Sequence, residues 1–271
     1  MTYALIFDCD GVISDSEIPR HRHAFNLVWR ERGIDWQWGE HQYARTLAIS
    51  GGRERLAALR HDPEFRAVFD VPADPLRWAE IVGDWHRRKT IIYADLVREG
   101  VPARSGVRRL AADALAAGWR VGVASAGART SVRAVLESAL GPEVTARLTL
   151  VTGEDVSSKK PSPEAYRLAA ERMQVEAADC VVVEDTRNGL RAAVAAGMTC
   201  VVTPTTWTFH DDFTEAALVV TGLGEPEDAA EVVIGGRCWP GPRPFLTLAD
   251  LAELAGSRRG AGGRQTADVA G

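Results

Sequence analysis

The sequence predicts an α/β fold: a parallel sheet covered by helices on both faces, with a helical cap inserted after the first strand. Two observations carry this. Short, largely apolar runs at residues 3–7, 121–124, 148–151, 181–183, 200–202 and 218–220 have the length of buried strands, and helical stretches separate most of them. Runs that are apolar throughout, rather than alternating, suit strands buried on both faces, as in parallel sheets. Between about Glu17 and Gly100 such runs vanish, while tryptophan, arginine and histidine accumulate on helical patterns.

Each element has its own signal. Tyr3-Ala4-Leu5-Ile6-Phe7 is the first strand. In the insertion, Phe25, Val28 and Trp29 fall at i, i+3 and i+4 and give one helix an apolar face, which Gly33 ends. Ala- and Leu-rich segments at 106–118, 131–139, 163–173 and 188–196 supply the helices between strands, and Gly118 and Gly197 stand where two of them stop. The expected organisation is a discontinuous core, residues 1–16 and 101–254, a cap over 17–100, and a disordered tail over 255–271, rich in Gly, Arg and Ala. The segment from about Thr206, with Gly235-Gly236-Arg237-Cys238-Trp239-Pro240, is read as a surface loop or a subunit contact.

Composition excludes several classes. With 271 residues, 46% hydrophobic and 25% charged, the chain can bury a substantial core. No window approaches the apolar length of a membrane span, and the first residues carry no leader pattern, so a cytoplasmic protein is expected. Cys9, Cys180, Cys200 and Cys238 are too dispersed for a disulfide framework or a zinc knuckle. A net charge of -5 without a long basic run argues against nucleic acid as a partner. A monomer or small homo-oligomer is expected.

In an open parallel α/β sheet, ligands bind beyond the carboxyl ends of the strands, so the residues there are the candidate site. The first strand ends Phe7-Asp8-Cys9-Asp10-Gly11, the second Val123-Ala124-Ser125 and the fourth Val183-Glu184-Asp185, while the loop after the third carries Lys159-Lys160-Pro161. Asp8 and Asp10 are two apart and would share a face if strand geometry persisted. One carboxylate can attack phosphorus while a second acid, kept protonated, serves the leaving oxygen and later takes a proton from water. That assigns Asp8 the attack and Asp10 the proton transfer. Asp185 is an oxygen ligand of the kind Mg²⁺ prefers, with Glu184 joining through water or holding Asp185. Lys160 and the Ser125 hydroxyl suit the phosphoryl oxygens, and Lys160 is expected to lower the pKa of Asp8. Spacing alone does not choose between Lys159 and Lys160. Ser125 and Glu184-Asp185 could otherwise simply cap the helices after them.

FDCDGVISDSE, VASAG, KKPSPEAY and VVVEDTRNGLRAAVAAGM resemble the four motifs of the haloacid dehalogenase (HAD) superfamily of phosphatases and mutases, over residues 5 to about 203. The resemblance implies a Rossmann-like HAD core, with the insertion as its cap. HRHAFN, GIDWQW, SGGRERL and HRRKTIIY look like the CbbY group, which implies a phosphatase of xylulose 1,5-bisphosphate or a similar small phosphorylated sugar. Carried over, it implies Asp8 as nucleophile and metal ligand, Asp10 as acid/base and as ligand through its carbonyl, Ser125 and Lys160 on the phosphate, and Asp185 on Mg²⁺. It picks Lys160 over Lys159. Glu17, His21, Arg53, Lys89 and Ala126 match substrate-binding positions, whereas His21 lacks a second ligand at metal spacing. β-Phosphoglucomutase has a serine and a lysine where this chain has Gly127 and Ala128, which favours phosphatase over mutase unless Arg129 reaches back. A phosphomutase and a catalytically silent protein that binds a phosphorylated metabolite are the alternatives; a dehalogenase needs neither Asp10 nor the metal site.

Overall fold

The computed structural model describes residues 2–234 and 244–262. Its sheet contains β1 (Ala4–Phe7), β2 (Arg120–Ala124), β3 (Thr149–Val151), β4 (Cys180–Glu184), β5 (Thr199–Val202), β6 (Leu218–Val220) and β7 (Val232–Ile234). The spatial order is β3-β2-β1-β4-β5-β6-β7, parallel throughout except that β7 runs antiparallel to β6. All six expected strands form. The seventh, Val232–Ile234, was not expected and pairs antiparallel with β6 at the edge of the sheet.

β1 lies between β2 and β4, with Phe7 in register with both Val123 and Val183. The chain crosses to one side of β1 for β2 and to the other for β4, so the crevice at their carboxyl ends is a topological switch point. β1 and β4 are buried at every position, which explains why residues 4–7 and 180–183 read as unbroken apolar runs.

Between β1 and β2 the chain forms a π-helical turn (Glu17–Arg22), α1 (His23–Glu31), α2 (Glu40–Thr46), α3 (Gly52–Ala58), α4 (Pro63–Val68) and α5 (Pro75–Arg98), then returns through α6 (Val107–Ala116). Asp62 and Asp74 cap α4 and α5 through their side chains, each followed by a proline at the first helical position. Cap stability rests on aromatic packing: Trp29 meets Trp38 edge-on at 4.8 Å, and Trp78 meets Trp85 at 5.7 Å. The α5 stripe Trp78, Val82, Trp85, Lys89, Ile92 and Tyr93 is buried and contains one lysine.

The core helices are α7 (Arg129–Leu140), α8 (Pro142–Thr145), α9 (Glu164–Met173), α10 (Arg187–Ala195) and α11 (Leu248–Gly262). Gly118 and Gly197 follow two helices in the left-handed region, at φ 78° and 84°. The tail expectation needs correction: α11 continues through Gly262, so residues 255–262 are helical. Burial of Leu251, Leu254 and Ala255 anchors this helix despite Gly256 and Gly260. Residues 263–271 and the Gly235–Pro240 segment lie outside the described residues. No helix among the described residues is long and apolar enough to cross a membrane.

Candidate active site

The β1 ladder continues one residue past the strand, where the Asp8 N–H donates to the Val183 carbonyl at 2.9 Å. The turn that follows closes on itself: Ile13 N–H donates to the Cys9 carbonyl and Gly11 N–H to that of Ser14, both at 2.9 Å. Gly11 has φ +88°, and a Cβ there would lie 2.0 Å from Asp185 Oδ2. Glycine is therefore required for conformation and for space.

Lys160 reaches this turn from the loop before α9. Its ammonium donates to Asp8 Oδ1 at 2.5 Å, to Glu184 Oε1 at 2.6 Å and to the Ala124 carbonyl at 2.9 Å, which commits all three N–H groups. Its charge lies 4.8 Å above the Tyr166 ring, and the Tyr166 hydroxyl donates a short hydrogen bond to Glu184 Oε1. Glu184 Oε2 accepts from the Asp185 N–H at 3.1 Å, so Glu184 holds the main chain of Asp185. Space for this buried carboxylate comes from Gly189, where a Cβ would fall 1.9 Å from Glu184. Thr186, not the acid pair, caps α10. Ser125 is buried beside this cluster and accepts from Gly127 N–H at 3.0 Å.

The expected lowering of Asp8 by Lys160 is present but outweighed, and the expected protonation of Asp10 is overturned. Burial pushes the Asp8 carboxyl up to about 7; Lys160 opposes this, but Glu184 and Asp10 add to the rise. Lys160 therefore does not lower Asp8 below the usual range, because desolvation of the carboxylate outweighs one contact. Asp10 shows the reverse. Burial disfavours its charge, yet His21, with Ser16 and Lys89, outweighs burial and holds it well below the usual range. Asp10 is thus ionised at rest, not kept protonated as expected.

The partners of Asp10 come from the cap and its hinge. Its Oδ1 accepts from Ser16 Oγ at 2.8 Å, His21 Nε2 at 2.9 Å and the Tyr93 hydroxyl at 3.2 Å. Lys89 is within short hydrogen-bond reach of His21 Nδ1, and His21 stacks on Tyr93 with centroids 3.8 Å apart. Burial lowers the Lys89 ammonium to about 8.

Glu17 faces the same pocket, but its carboxylate is occupied: Arg55 donates to both oxygens at 2.9–3.2 Å, and Tyr43 donates at 2.8 Å. Arg53 is exposed and is not among the residues lining the pocket, whereas Arg55 lines it. His86 also lines the pocket, held down at about 4 by burial and by the neighbouring Lys89, Lys159 and Arg53. Ala126, Gly127 and Ala128 line the core side. Arg129 does not reach back, since its guanidinium pairs with Asp155 at 2.5 Å.

The donor set fits a divalent cation. Asp8, Glu184 and Asp185 can bring carboxylate oxygens within 4.8 Å of one another, and Asp185 Oδ1 is buried without a hydrogen-bond partner. An orphaned buried carboxylate oxygen is costly unless a cation meets it.

The sequence reading missed Ser16, Tyr43, Arg55, Tyr93 and Tyr166. Two had a signal. Tyr93 lies four residues after Lys89 on one helical face, and Arg55 precedes Leu56 inside an otherwise apolar helix side. Tyr166 was hidden in its motif, because only folding brings its hydroxyl to Glu184 at the end of β4.

A family profile described as haloacid dehalogenase-like hydrolase matches residues 3–197. Protein CbbY of Cupriavidus necator is 39% identical over 227 residues, covering 83% of this chain and 87% of that protein. The crystal structure of a CbbY variant from Rhodobacter sphaeroides in complex with xylulose 1,5-bisphosphate superposes with a TM-score of 0.73 at 34% identity, covering 83% of this chain and 96% of that one. A β-phosphoglucomutase from Clostridium difficile shares the fold, with a TM-score of 0.60 at 24% identity over 81% of this chain and 91% of that one. By motif, sheet and cap alike, the chain belongs to the haloacid dehalogenase-like hydrolases, with relatives among the CbbY proteins.

Proposed function

We propose that this hydrolase is a Mg²⁺-dependent phosphatase of xylulose 1,5-bisphosphate or a similar sugar bisphosphate, working through an aspartyl phosphate on Asp8. The observation that carries this reading is the convergence of Asp8, Lys160, Glu184 and Asp185 at one crevice beneath a cap bearing His21, Arg55 and Lys89. Likeness to a CbbY structure that holds xylulose 1,5-bisphosphate supports the substrate class.

An Asp8 carboxylate oxygen attacks phosphorus, and the bond from phosphorus to the sugar oxygen breaks. That oxygen needs a proton, which Asp10 supplies once it has left its cap partners and been protonated. Water then attacks the aspartyl phosphate as Asp10 takes back a proton, releasing inorganic phosphate and restoring Asp8. Asp8, Asp185 and the Asp10 carbonyl would hold Mg²⁺, with Glu184 fixing Asp185. The cation supplies charge neutralisation between an anionic nucleophile and an anionic substrate. Lys160 and Ser125 bind the transferring phosphoryl group, and the cap cations take the second phosphate.

Gly127 and Ala128 offer no side-chain donors, and Arg129 is engaged with Asp155, which supports hydrolysis over a mutase reaction. The test is phosphate release from xylulose 1,5-bisphosphate with and without Mg²⁺, beside Asp8→Asn. Mg²⁺-dependent release that disappears in the variant is expected. Isomer exchange of β-glucose 1-phosphate with little free phosphate would overturn the reading.

A further inference from the structure

Arg104 lies on the return segment from cap to core, before α6, and makes no substrate-facing contact. Its main-chain N–H donates to the Ile13 carbonyl at 2.9 Å. Its guanidinium makes a short hydrogen bond to the Gly11 carbonyl and donates to the carbonyls of Thr203 at 2.7 Å, Pro204 at 3.1 Å and Thr221 at 3.2 Å, with Thr203 Oγ1 at 3.3 Å. One planar fork therefore ties together the loops after β1, β5 and β6.

Two features separate this from an ordinary surface stitch. Among the described residues no carboxylate forms an ion pair with Arg104, so carbonyl dipoles solvate its charge and its field extends to Asp185 and Asp15. Second, Gly11 is where the nucleophile turn touches the Asp185 carboxylate, with room for no added atom. Movement of the Gly11 peptide would carry its Cα against Asp185. The Thr203 N–H meanwhile donates to the Glu184 carbonyl at 2.7 Å, so the same fork reaches the end of β4 through one further bond.

We propose that Arg104 is a positioning residue: by holding the Gly11 carbonyl from behind, it fixes the Asp8-to-Gly11 turn against Asp185 and sets the spacing of the carboxylates that receive the cation. This rests on the Mg²⁺-dependent reading above for its activity arm, but not for its structural arm. A lysine at 104 keeps the charge yet cannot span three loops.

The experiment is hydrogen exchange by mass spectrometry on full-length Arg104→Lys and Arg104→Met, with the Mg²⁺ dependence of phosphate release measured on the same samples. Local release of the turn predicts exchange over residues 9–14 faster by roughly tenfold, with the β4 amides unchanged. The Mg²⁺ concentration for half-maximal rate should rise several-fold while KM for the phosphate ester moves less than about twofold. Unchanged exchange over 9–14, or an equal increase across the sheet, overturns the proposal. If Arg104→Met does not fold, Arg104→Lys alone decides. If the wild type shows no Mg²⁺-dependent release, the functional reading fails, and the exchange comparison still decides the role of Arg104.

Discussion

Replacing Arg55 with methionine would expose the cost of the buried pair that Glu17 depends on. The guanidinium meets both Glu17 oxygens at 2.9–3.2 Å, and the two side chains are only 9% and 16% exposed. Solvent therefore screens the pair weakly, and removing one partner of such a pair costs about 3–5 kcal/mol. Tyr43 still donates to Glu17 in the variant, so the lower end, about 3 kcal/mol, is expected. The double variant Glu17→Gln/Arg55→Met removes the stranded charge and should cost less than the sum of the single changes by about 1–3 kcal/mol. Urea unfolding followed by tryptophan fluorescence suits this test, because Trp29, Trp36, Trp38, Trp78 and Trp85 all lie between β1 and α6.

pH adds a second check with a fixed sign. Burial works against the Glu17 charge, but Arg55 outweighs it and lowers the folded pKa below the usual 4.5. That contribution to stability is present above the unfolded value and is lost as pH falls through the folded one. In Arg55→Met, burial alone would raise the Glu17 pKa, so the destabilisation should be largest near neutrality and shrink at acid pH. A cost below about 1 kcal/mol, additive with Glu17→Gln and flat with pH, would refute the argument by showing a pair screened like a surface contact.

Gly11→Ala should cut phosphatase turnover by at least about a hundredfold, because the left-handed residue costs about 1–2 kcal/mol and its Cβ displaces Asp185; near-normal turnover, measured as phosphate release, would contradict this. Lys89 is a cation only below about 8, so KM for a sugar bisphosphate should rise as pH passes that value, and Lys89→Met should remove the rise; a flat KM in the wild type would count against Lys89 as a phosphate contact. Lys159 joins core to cap through Glu54 at 2.7 Å, with the acid side chain 42% exposed. Glu54→Gln should therefore change unfolding free energy by less than about 1 kcal/mol, and a loss above about 2 kcal/mol would show the contact to be shielded from solvent.

The strands and the order of the chemistry were legible because they are local. β1 is apolar throughout and β4 is apolar up to Glu184, and Asp8, Ser125, Lys160 and Asp185 each stand at a strand end or just beyond one. Strand burial and strand ends leave marks in consecutive residues, so the α/β core, the inserted helices and the identity of the crevice could be stated from the sequence. The α11 helix was less legible, since its three glycines read as a tail until Leu251, Leu254 and Ala255 have a core to pack on.

What the sequence could not state was who meets whom. It placed Lys160 on Asp8 but not the burial that raises Asp8 in spite of it. It named Asp10 as an acid, yet Ser16, His21 and Tyr93 converge on Asp10 from positions 6 to 83 residues away, and His21, Ser16 and Lys89 hold it ionised. It pointed to Arg53, while the turn of α3 delivers Arg55 to Glu17. Charge state depends on desolvation and on distances between chain segments, and both are properties of tertiary packing that no local pattern encodes. The residue types of the candidate site were therefore set by the sequence alone, and their protonation and pairing were set only by the packing of the helical insertion on the sheet.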